Sequence, residues 1–253
     1  NRYADIFNDF VHYIRGSDLA VTNLECPLID MGTAIKKSGP AIKSNPRSIE
    51  ALKYAGFHLV TLANNHILDY GPKGVISTLS TCQDAQIAYV GAGSSLSEAR
   101  KPFFFKQGDK TIAIYNVAEN EYGNTYGEGA GGNPLNPITN FYDIQEARKL
   151  ADFLFVIVHG GREHYQLPSP KVQELYRYFI DIGADTVVAH HTHCFSGYEY
   201  YKGKPIFYSL GNFVFDYKEK YRKGLWVQGY AVQFNIGANK LSFELIPYHQ
   251  GRK

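Results

Sequence analysis

The sequence has 253 residues, 44% hydrophobic and 20% charged, with a formal net charge of +2 at neutral pH. That composition supports a buried core, and so small a net charge does not argue for nucleic acid, whose footprint needs clustered basic charge rather than a slightly basic average. No run of about 18 apolar residues reads as a bilayer span, no signal peptide is evident after Asn1, and Cys26, Cys82 and Cys194 form neither a CxxC pair nor a disulfide framework.

Asn1 to Gly16 reads as a helix, with Ala4, Ile6, Phe7, Phe10, Val11 and Ile14 at apolar spacing. Asp18 to Leu24 reads as a buried strand. Pro46 to Gly56 predicts a helix, with Asn45 as N-cap, Pro46 at the first helical position and Gly56 as the stop. His58 to Ala63 is a second strand, Gly74 to Ala85 a helix and Ile87 to Val90 a third strand. A short helix near Leu96 to Arg100 precedes two strands, Phe103 to Lys106 and Thr111 to Val117, joined by a turn at Gly108-Asp109. Glu119 to Asn140 is rich in Gly, Asn and Pro and without periodicity, the mark of a functional or mobile loop. Helix is expected again near Ile144 to Leu150, strand at Phe153 to Val158, helix at Pro170 to Ile182 and strand at Thr186 to Ala189. From Gly197 onward the pattern is all-β, with turns at Lys202-Gly203-Lys204 and Gly237-Ala238-Asn239. Strands alternating with helices imply a parallel-rich sheet, and the β-only end adds a second sheet or an antiparallel extension.

Histidine placement carries the chemistry. Of nine histidines, His66, His159, His164, His190, His191 and His193 lie just beyond strand-like runs, where open α/β sheets place their ligand sites. Three clusters result: Asn64-Asn65-His66 with Asp69, His159-Gly160-Gly161-Arg162-Glu163-His164, and His190-His191-Thr192-His193. In an extended stretch His191 and His193 would point the same way, toward one metal centre. Imidazole, carboxylate and amide oxygen together suit Mn, Fe or Zn. Each cluster alone also has a structural reading, as core or surface polar residues. A basic stretch at Lys36, Lys37, Lys43 and Arg47 is either a solvated loop or a landing strip for an anionic ligand.

Five segments occur in order: Asp18-Leu-Ala-Val-Thr-Asn-Leu-Glu25, Leu62-Ala-Asn-Asn-His-Ile-Leu-Asp-Tyr-Gly71, Val158-His-Gly-Gly-Arg-Glu163, His190-His-Thr-His193 and Tyr208-Ser-Leu-Gly-Asn-Phe213. From about Asp18 to Asp216 this set resembles the signature blocks of the CapA/PgsA family of poly-γ-glutamate and capsule synthesis proteins. That family is a branch of the calcineurin-like metallophosphatase superfamily. The resemblance implies an α/β fold, a four-layer α/β/β/α sandwich of two mixed sheets flanked by helices, forming a single domain over residues 1–253. It implies two divalent metal ions at the strand ends, with Glu25, Asn65, His159, His191 and His193 as ligands. His66 would be the general acid, oriented by Asp69, and a bridging water would attack a phosphoester.

Around that ligand set, Arg162 is a candidate for binding phosphate or carboxylate through its planar fork, with a surface salt bridge as the alternative. Glu163 is grouped with it at the substrate. The loop Glu119 to Asn136 is the expected source of specificity, with Glu119 and Glu121 either facing the metals or simply solvated. Asn212 is expected to shape the edge of the substrate site.

Three departures from the family pattern bear on the metal count. The Gly-Asp motif that holds the first metal has no match before Asp18, so it lies upstream of Asn1 or is lacking. Asn-Leu-Glu25 stands where the bridging aspartate is usual, and His190 fills a glycine position. A one-metal or empty site is therefore the alternative to a dinuclear one. Three functions stay open: a phosphoesterase, a non-catalytic subunit that binds an anionic polymer such as poly-γ-glutamate beside membrane synthase partners, and a metal-dependent amide hydrolase. No nucleic-acid partner is expected. The expected location is extracytoplasmic or at the cell surface, with the cytoplasm as the alternative.

Overall fold

The computed structural model describes residues 3–215, 224–237 and 240–251. The chain divides into two compact units, Asn1–His159 and Gly160–Lys253. The architecture is the expected α/β class, with several sheets and intervening helices.

The first unit opens with α1 (Ala4–Phe7), a 3-10 turn at Asn8–Phe10 and α2 (Val11–Arg15). The single helix expected there is broken at Asn8, whose φ of 40° is left-handed, a conformation asparagine tolerates better than most residues. Strand β1 (Val21–Asn23) follows, then a 3-10 turn at Pro46–Ser48 and α3 (Ile49–Ala55). Asn45 Oδ1 accepts the Arg47 N–H at 2.9 Å, and Gly56 ends α3 at φ 97°, the usual glycine stop. Next come β2 (Leu59–Thr61), α4 (Gly71–Asp84) and β3 (Ala88–Val90). The three strands pair in parallel in the order β1-β2-β3. On α4, Val75, Leu79 and Cys82 recur at helical spacing and are buried. They pack with Val60, Leu62, Ile67 and Ile87 into one core.

The rest of this unit is β4 (Ala92–Gly93), α5 (Leu96–Ala99), β5 (Phe103–Gln107), β6 (Lys110–Ala118), β7 (Gly131–Gly132), α6 (Pro137–Leu150) and β8 (Phe153–His159). Strands β5 and β6 form the hairpin expected at Gly108-Asp109, with Gln107 opposite Lys110. Strand β6 also runs parallel to β8, which sets Ala118 opposite His159. The long loop is shorter and more ordered than its composition suggests. It contains β7, paired with β4, and ends at Asn136, whose side chain caps α6 by accepting the Ile138 and Thr139 N–H groups. Helix α6 thus starts at Pro137, several residues before the expected Ile144.

Asn116 of β6 ties the β1-β2-β3 sheet to the β6-β8 pair. It is fully buried; its Oδ1 accepts the Ala63 N–H at 2.8 Å, and its Nδ2 donates to the Ile157 carbonyl at 3.1 Å. Gly91, at φ 88°, passes so close that a Cβ there would stand 2.0 Å from Asn116 Oδ1.

The second unit contains α7 (Pro170–Asp181), β9 (Thr186–His190), β10 (Tyr198–Tyr201), β11 (Lys204–Phe207), β12 (Gln228–Ile236) and β13 (Leu241–His249). Ser169 caps α7 at Val172 N–H. Strand β11 runs parallel to β9 and antiparallel to β10. Lys202 and Gly203, at φ 50° and 77°, supply the positive-φ pair that a tight hairpin needs. Strands β12 and β13 form a long antiparallel hairpin; Ala238 and Asn239, of the turn expected at Gly237-Ala238-Asn239, lie outside the described residues. Phe207 and Tyr230 centre an aromatic core here with Phe234 and Phe243.

Removing the Asn116 carboxamide strands a buried N–H and a buried C=O together. Asn116→Ala should lower unfolding stability by about 2–4 kcal/mol, read from urea denaturation. A loss below about 1 kcal/mol would mean that the tie is dispensable.

Candidate metal and acid-base site

In the first unit, three strand ends bring side chains together. Glu25 follows β1, Asn65 and His66 follow β2, and His159 closes β8. His159 Nε2 lies 2.9 Å from Asn65 Oδ1 and 3.9 Å from Glu25 Oε1. Asn23 Nδ2 donates to Glu25 Oε2 at 2.9 Å and so steadies that carboxylate. The turn carrying the two asparagines is built by Asn64, which is fully buried. Its Oδ1 accepts the His66 N–H at 3.1 Å and its Nδ2 donates to the Leu24 carbonyl at 2.9 Å. Glu119 sits beside this group, its N–H donating to the His159 carbonyl at 2.9 Å, whereas Glu121 is exposed. Cys26 stays a neutral thiol, pushed up to about 12 by burial and by the charges of Glu25 and Asp69.

A buried charged group adjoins these residues. His66 Nδ1 lies 2.6 Å from Asp69 Oδ2. Lys37 Nζ pairs with Asp69 Oδ1 and approaches His66 Nδ1 at 3.1 Å. The Lys37 and Asp69 side chains are only 4% and 0% exposed. Ile42 N–H adds a bond to Asp69 Oδ2 at 2.7 Å. Burial alone would push the Asp69 carboxyl up, but the bonds from His66, Lys37 and Ile42 together hold it below its ordinary value. With the carboxylate accepting Nδ1–H, the ring nitrogen of His66 left to exchange a proton is Nε2.

Lys37 is thus spent inside the protein, and the basic stretch is not a uniform surface strip. Lys36, Lys43 and Arg47 remain exposed. The loop after β6 covers the group: Tyr122 stacks under the Lys37 ammonium at 5.7 Å and its hydroxyl meets Ser38 Oγ at 2.8 Å. Gly123 lies against the asparagine turn, where a Cβ would come within 1.8 Å of the Asn64 carbonyl oxygen.

In the second unit, β9 ends at His190, and the chain does not continue extended. His191 and His193 take φ values of 110° and 55°, so strand alternation does not set their direction. Their ring centroids are nonetheless 6.2 Å apart, and both residues are buried. Asn212 holds His193: its Nδ2 donates to the carbonyls of His193 and Trp226 at 3.2 and 3.1 Å. That leaves Oδ1 to accept Nδ1–H of His193 at 2.8 Å, presenting Nε2 as the lone-pair donor. Trp226 stacks on the same imidazole at 4.9 Å. Burial pushes the His190 ring down to about 3, with smaller contributions from His191 and His193, so it is neutral at pH 7. Arg162 and Glu163 are exposed, with the Arg162 guanidinium 5.4 Å from the Tyr165 ring centre. The carboxamide of Asn212 is fully engaged with His193 and Trp226.

Lys37, Asn116 and Trp226 have no motif-level signal. Lys37 stands 32 residues from its carboxylate partner, and Trp226 is the single tryptophan of the sequence.

A mixed α/β protein with imidazole, amide and carboxylate groups at its strand ends is a frequent setting for hard or borderline divalent metals. Residues 1–217 match the family described as "Bacterial capsule synthesis protein PGA_cap", and the chain belongs to that family. It is 32% identical to "Capsule biosynthesis protein CapA" of Bacillus anthracis over 85% of this chain and 55% of that protein. It is 36% identical to "PGA biosynthesis protein CapA" of Bacillus subtilis (strain 168) over 84% of this chain and 57% of that one. The chain therefore spans little more than half the length of these relatives. A crystal structure of a hypothetical protein from Thermus thermophilus shares the fold, with a TM-score of 0.58 at 12% identity over 98% of this chain and 94% of that one.

Lys37→Met would leave the buried Asp69 carboxylate without its lysine cation, at a cost of about 3–5 kcal/mol. Adding Asp69→Asn should recover much of that loss in thermal or urea unfolding. Because folding lowers the Asp69 pKa, its contribution is present above the unfolded value of about 3.9 and fades as pH falls through the folded one. Asp69→Asn should therefore flatten the stability profile below about pH 4; an unchanged acid limb would contradict the assignment.

Proposed function

We propose that this protein is a metal-dependent phosphoesterase of the cell envelope that serves synthesis or export of an anionic polymer such as poly-γ-glutamate. The observation that carries the reading is the convergence of Asn65 Oδ1, His159 Nε2 and Glu25 Oε1 within one buried corner, beside a histidine already backed by a carboxylate. The donor set of amide oxygen, imidazole and carboxylate fits Mn, Fe or Zn. Glu25, Asn65 and His159 are the proposed ligands from the first unit, and His191 and His193 are proposed as ligands on the family resemblance. Two such ions when bound would supply a water acidified for attack and charge to stabilise the phosphoryl group.

The chain's own residues do the remaining work. His66, fixed at Nδ1 by Asp69, holds a proton at Nε2 and delivers it to the leaving oxygen. Lys37 keeps Asp69 ionised in a buried setting and fixes its rotamer. Asn212 sets the His193 tautomer, the kind of support that commonly tunes ligand affinity. Glu119, Arg162 and Glu163 are proposed to meet the substrate. A role in capsule or PGA biosynthesis is proposed from the names of the Bacillus relatives, and the envelope setting with membrane synthase partners on the family resemblance. No described helix is long and apolar enough to cross a membrane.

A second reading, a polymer-binding subunit without catalysis, is favoured by the exposed Lys36, Lys43 and Arg47.

Elemental analysis and ester hydrolysis separate the two. Protein equilibrated with Mn²⁺ should bind metal and hydrolyse p-nitrophenyl phosphate or its bis-ester. His66→Gln should cut kcat by about 10²–10⁴-fold with metal retained, whereas His159→Ala and His191→Ala should each lower metal content. Metal binding without any hydrolysis that His66→Gln abolishes would favour the binding subunit.

A further inference from the structure

Residues 30–43, all of them described, run between β1 and the Pro46–Ser48 turn without a helix or strand. They are exposed along most of their length, with Ile35, Lys37, Ala41 and Ile42 turned partly inward. Both ends of the segment are fixed beside α4. Leu28 bridges Ser44, Ile29 N–H donates to the Ser44 carbonyl at 2.9 Å, and Ser44 N–H donates to the Pro27 carbonyl at 3.0 Å. Leu28 is tied in turn to Thr78 Oγ1 at 2.8 Å and to Ser77 Oγ at 2.7 Å. A surface loop closed at its neck in this way is a compact unit of a kind that often carries function.

Beyond the neck, one residue holds the segment. Asp69 takes bonds from three places along it: its carbonyl accepts the Ile35 N–H at 2.8 Å, Oδ1 accepts Lys37 Nζ, and Oδ2 accepts the Ile42 N–H at 2.7 Å. A second attachment comes from the loop after β6, where Ser38 Oγ meets the Tyr122 hydroxyl at 2.8 Å and Ser38 N–H donates to it at 3.4 Å. At the tip Gly39 has a φ of 84°, a left-handed turn that glycine adopts freely. Polar bonds to two residues thus carry most of the attachment. A segment held by few bonds, with little apolar burial, opens at a lower free energy than the core around it.

Opening has a chemical consequence. Lys37 Nζ lies 3.1 Å from His66 Nδ1 and donates to the Asn65 carbonyl at 3.4 Å. The segment therefore delivers its cation to the acid and to the turn that bears a proposed ligand. When it lifts, the Asp69 carboxylate loses Lys37 and Ile42 and keeps only His66 of these three partners.

We infer that residues 30–43 form a strap that opens and closes as a unit over His66, clasped by Asp69 and latched by Tyr122. The strap rests on this geometry alone; its use as a gate on proton delivery rests on the proposed role of His66 as general acid. Tyr122 is then a positioning residue that acts on His66 through Lys37.

Hydrogen exchange read by mass spectrometry on the full chain tests the strap without reference to activity. Peptides from residues 30–43 should exchange through an opening of their own, faster than those of β2 and α4. Tyr122→Phe deletes the latch and keeps the ring. It should raise strap exchange about threefold to tenfold, the worth of one net hydrogen bond, and leave β2 and α4 unchanged; Lys37→Met should raise it further. Hydrolysis by Mn²⁺-loaded protein tests the gate. Tyr122→Phe should lower kcat more on phenyl phosphate than on p-nitrophenyl phosphate, whose better leaving group needs less help from an acid, with KM and metal content unchanged. Strap exchange that stays the same in both variants, or that rises in step with β2 and α4, would overturn the strap. Equal losses on the two esters would overturn the gate. Selective strap exchange in a protein that hydrolyses neither ester would count against the phosphoesterase reading alone.

Discussion

The carboxamide of Asn116 is the constraint on which the first unit's site depends. It is buried near the C-terminal end of β6 and bonds the chain in two directions, to Ala63 N–H and to the Ile157 carbonyl. Asn64, Asn65 and His66 follow Ala63 directly, and His159 lies two residues beyond Ile157. One planar group therefore sets the separation of two strand ends whose side chains approach to 2.9 Å. An aliphatic side chain could fill the space but not pair the N–H and C=O, and a carboxylate could accept but not donate. Asn133 completes the arrangement by donating to the Asn116 carbonyl at 3.0 Å.

Two histidines are held at Nδ1 by different partners, and the difference bears on their use. His66 faces a carboxylate that Lys37 neutralises. His193 faces a neutral amide whose orientation two carbonyls dictate. A charged partner suits a ring that must carry and release a proton, while a neutral one suits a ring that stays a lone-pair donor. Burying an ion pair is seldom a net gain in stability. The trio of Lys37, Asp69 and His66 is better understood as positioning, at a site that the loop bearing Tyr122 and Gly123 then covers.

Much of this was legible in the residues. The β1-α3-β2-α4-β3 order follows from apolar runs and caps such as Asn45-Pro46 and Gly56, and the clustered histidines were visible as motifs. The start of α6 was not, because its pattern is inverted. Ile138, Tyr142 and Leu150 are 73%, 62% and 66% exposed, while Asn140 is fully buried. A search for an apolar face fails on such a helix, although Asn136-Pro137 is a sound cap signal. Lys37 was hidden by distance, since nothing local links it to Asp69. Strand alternation misdescribed His191 and His193 because the ladder stops at His190.

That stop is itself informative. The non-glycine residues at positive φ among those described are Asn8, Gln86, His164, His191, His193 and Lys202. Asn8, Gln86 and Lys202 lie at turns or helix ends, where such a conformation is common. The other three are histidines of the second unit, near the loops that follow its first strand. Such backbone costs on the order of 1–3 kcal/mol per residue and survives only where the surroundings over-determine it. Here they do: Thr192 accepts the His164 N–H, Asn212 and Trp226 clamp His193, and His164 packs on Trp226 at 5.4 Å. A relaxed chain would carry these imidazoles elsewhere. Strain concentrated on groups able to bind metal, and held in place by neighbours, is what a site gains when ligand direction matters more than the stability of the loop that bears it.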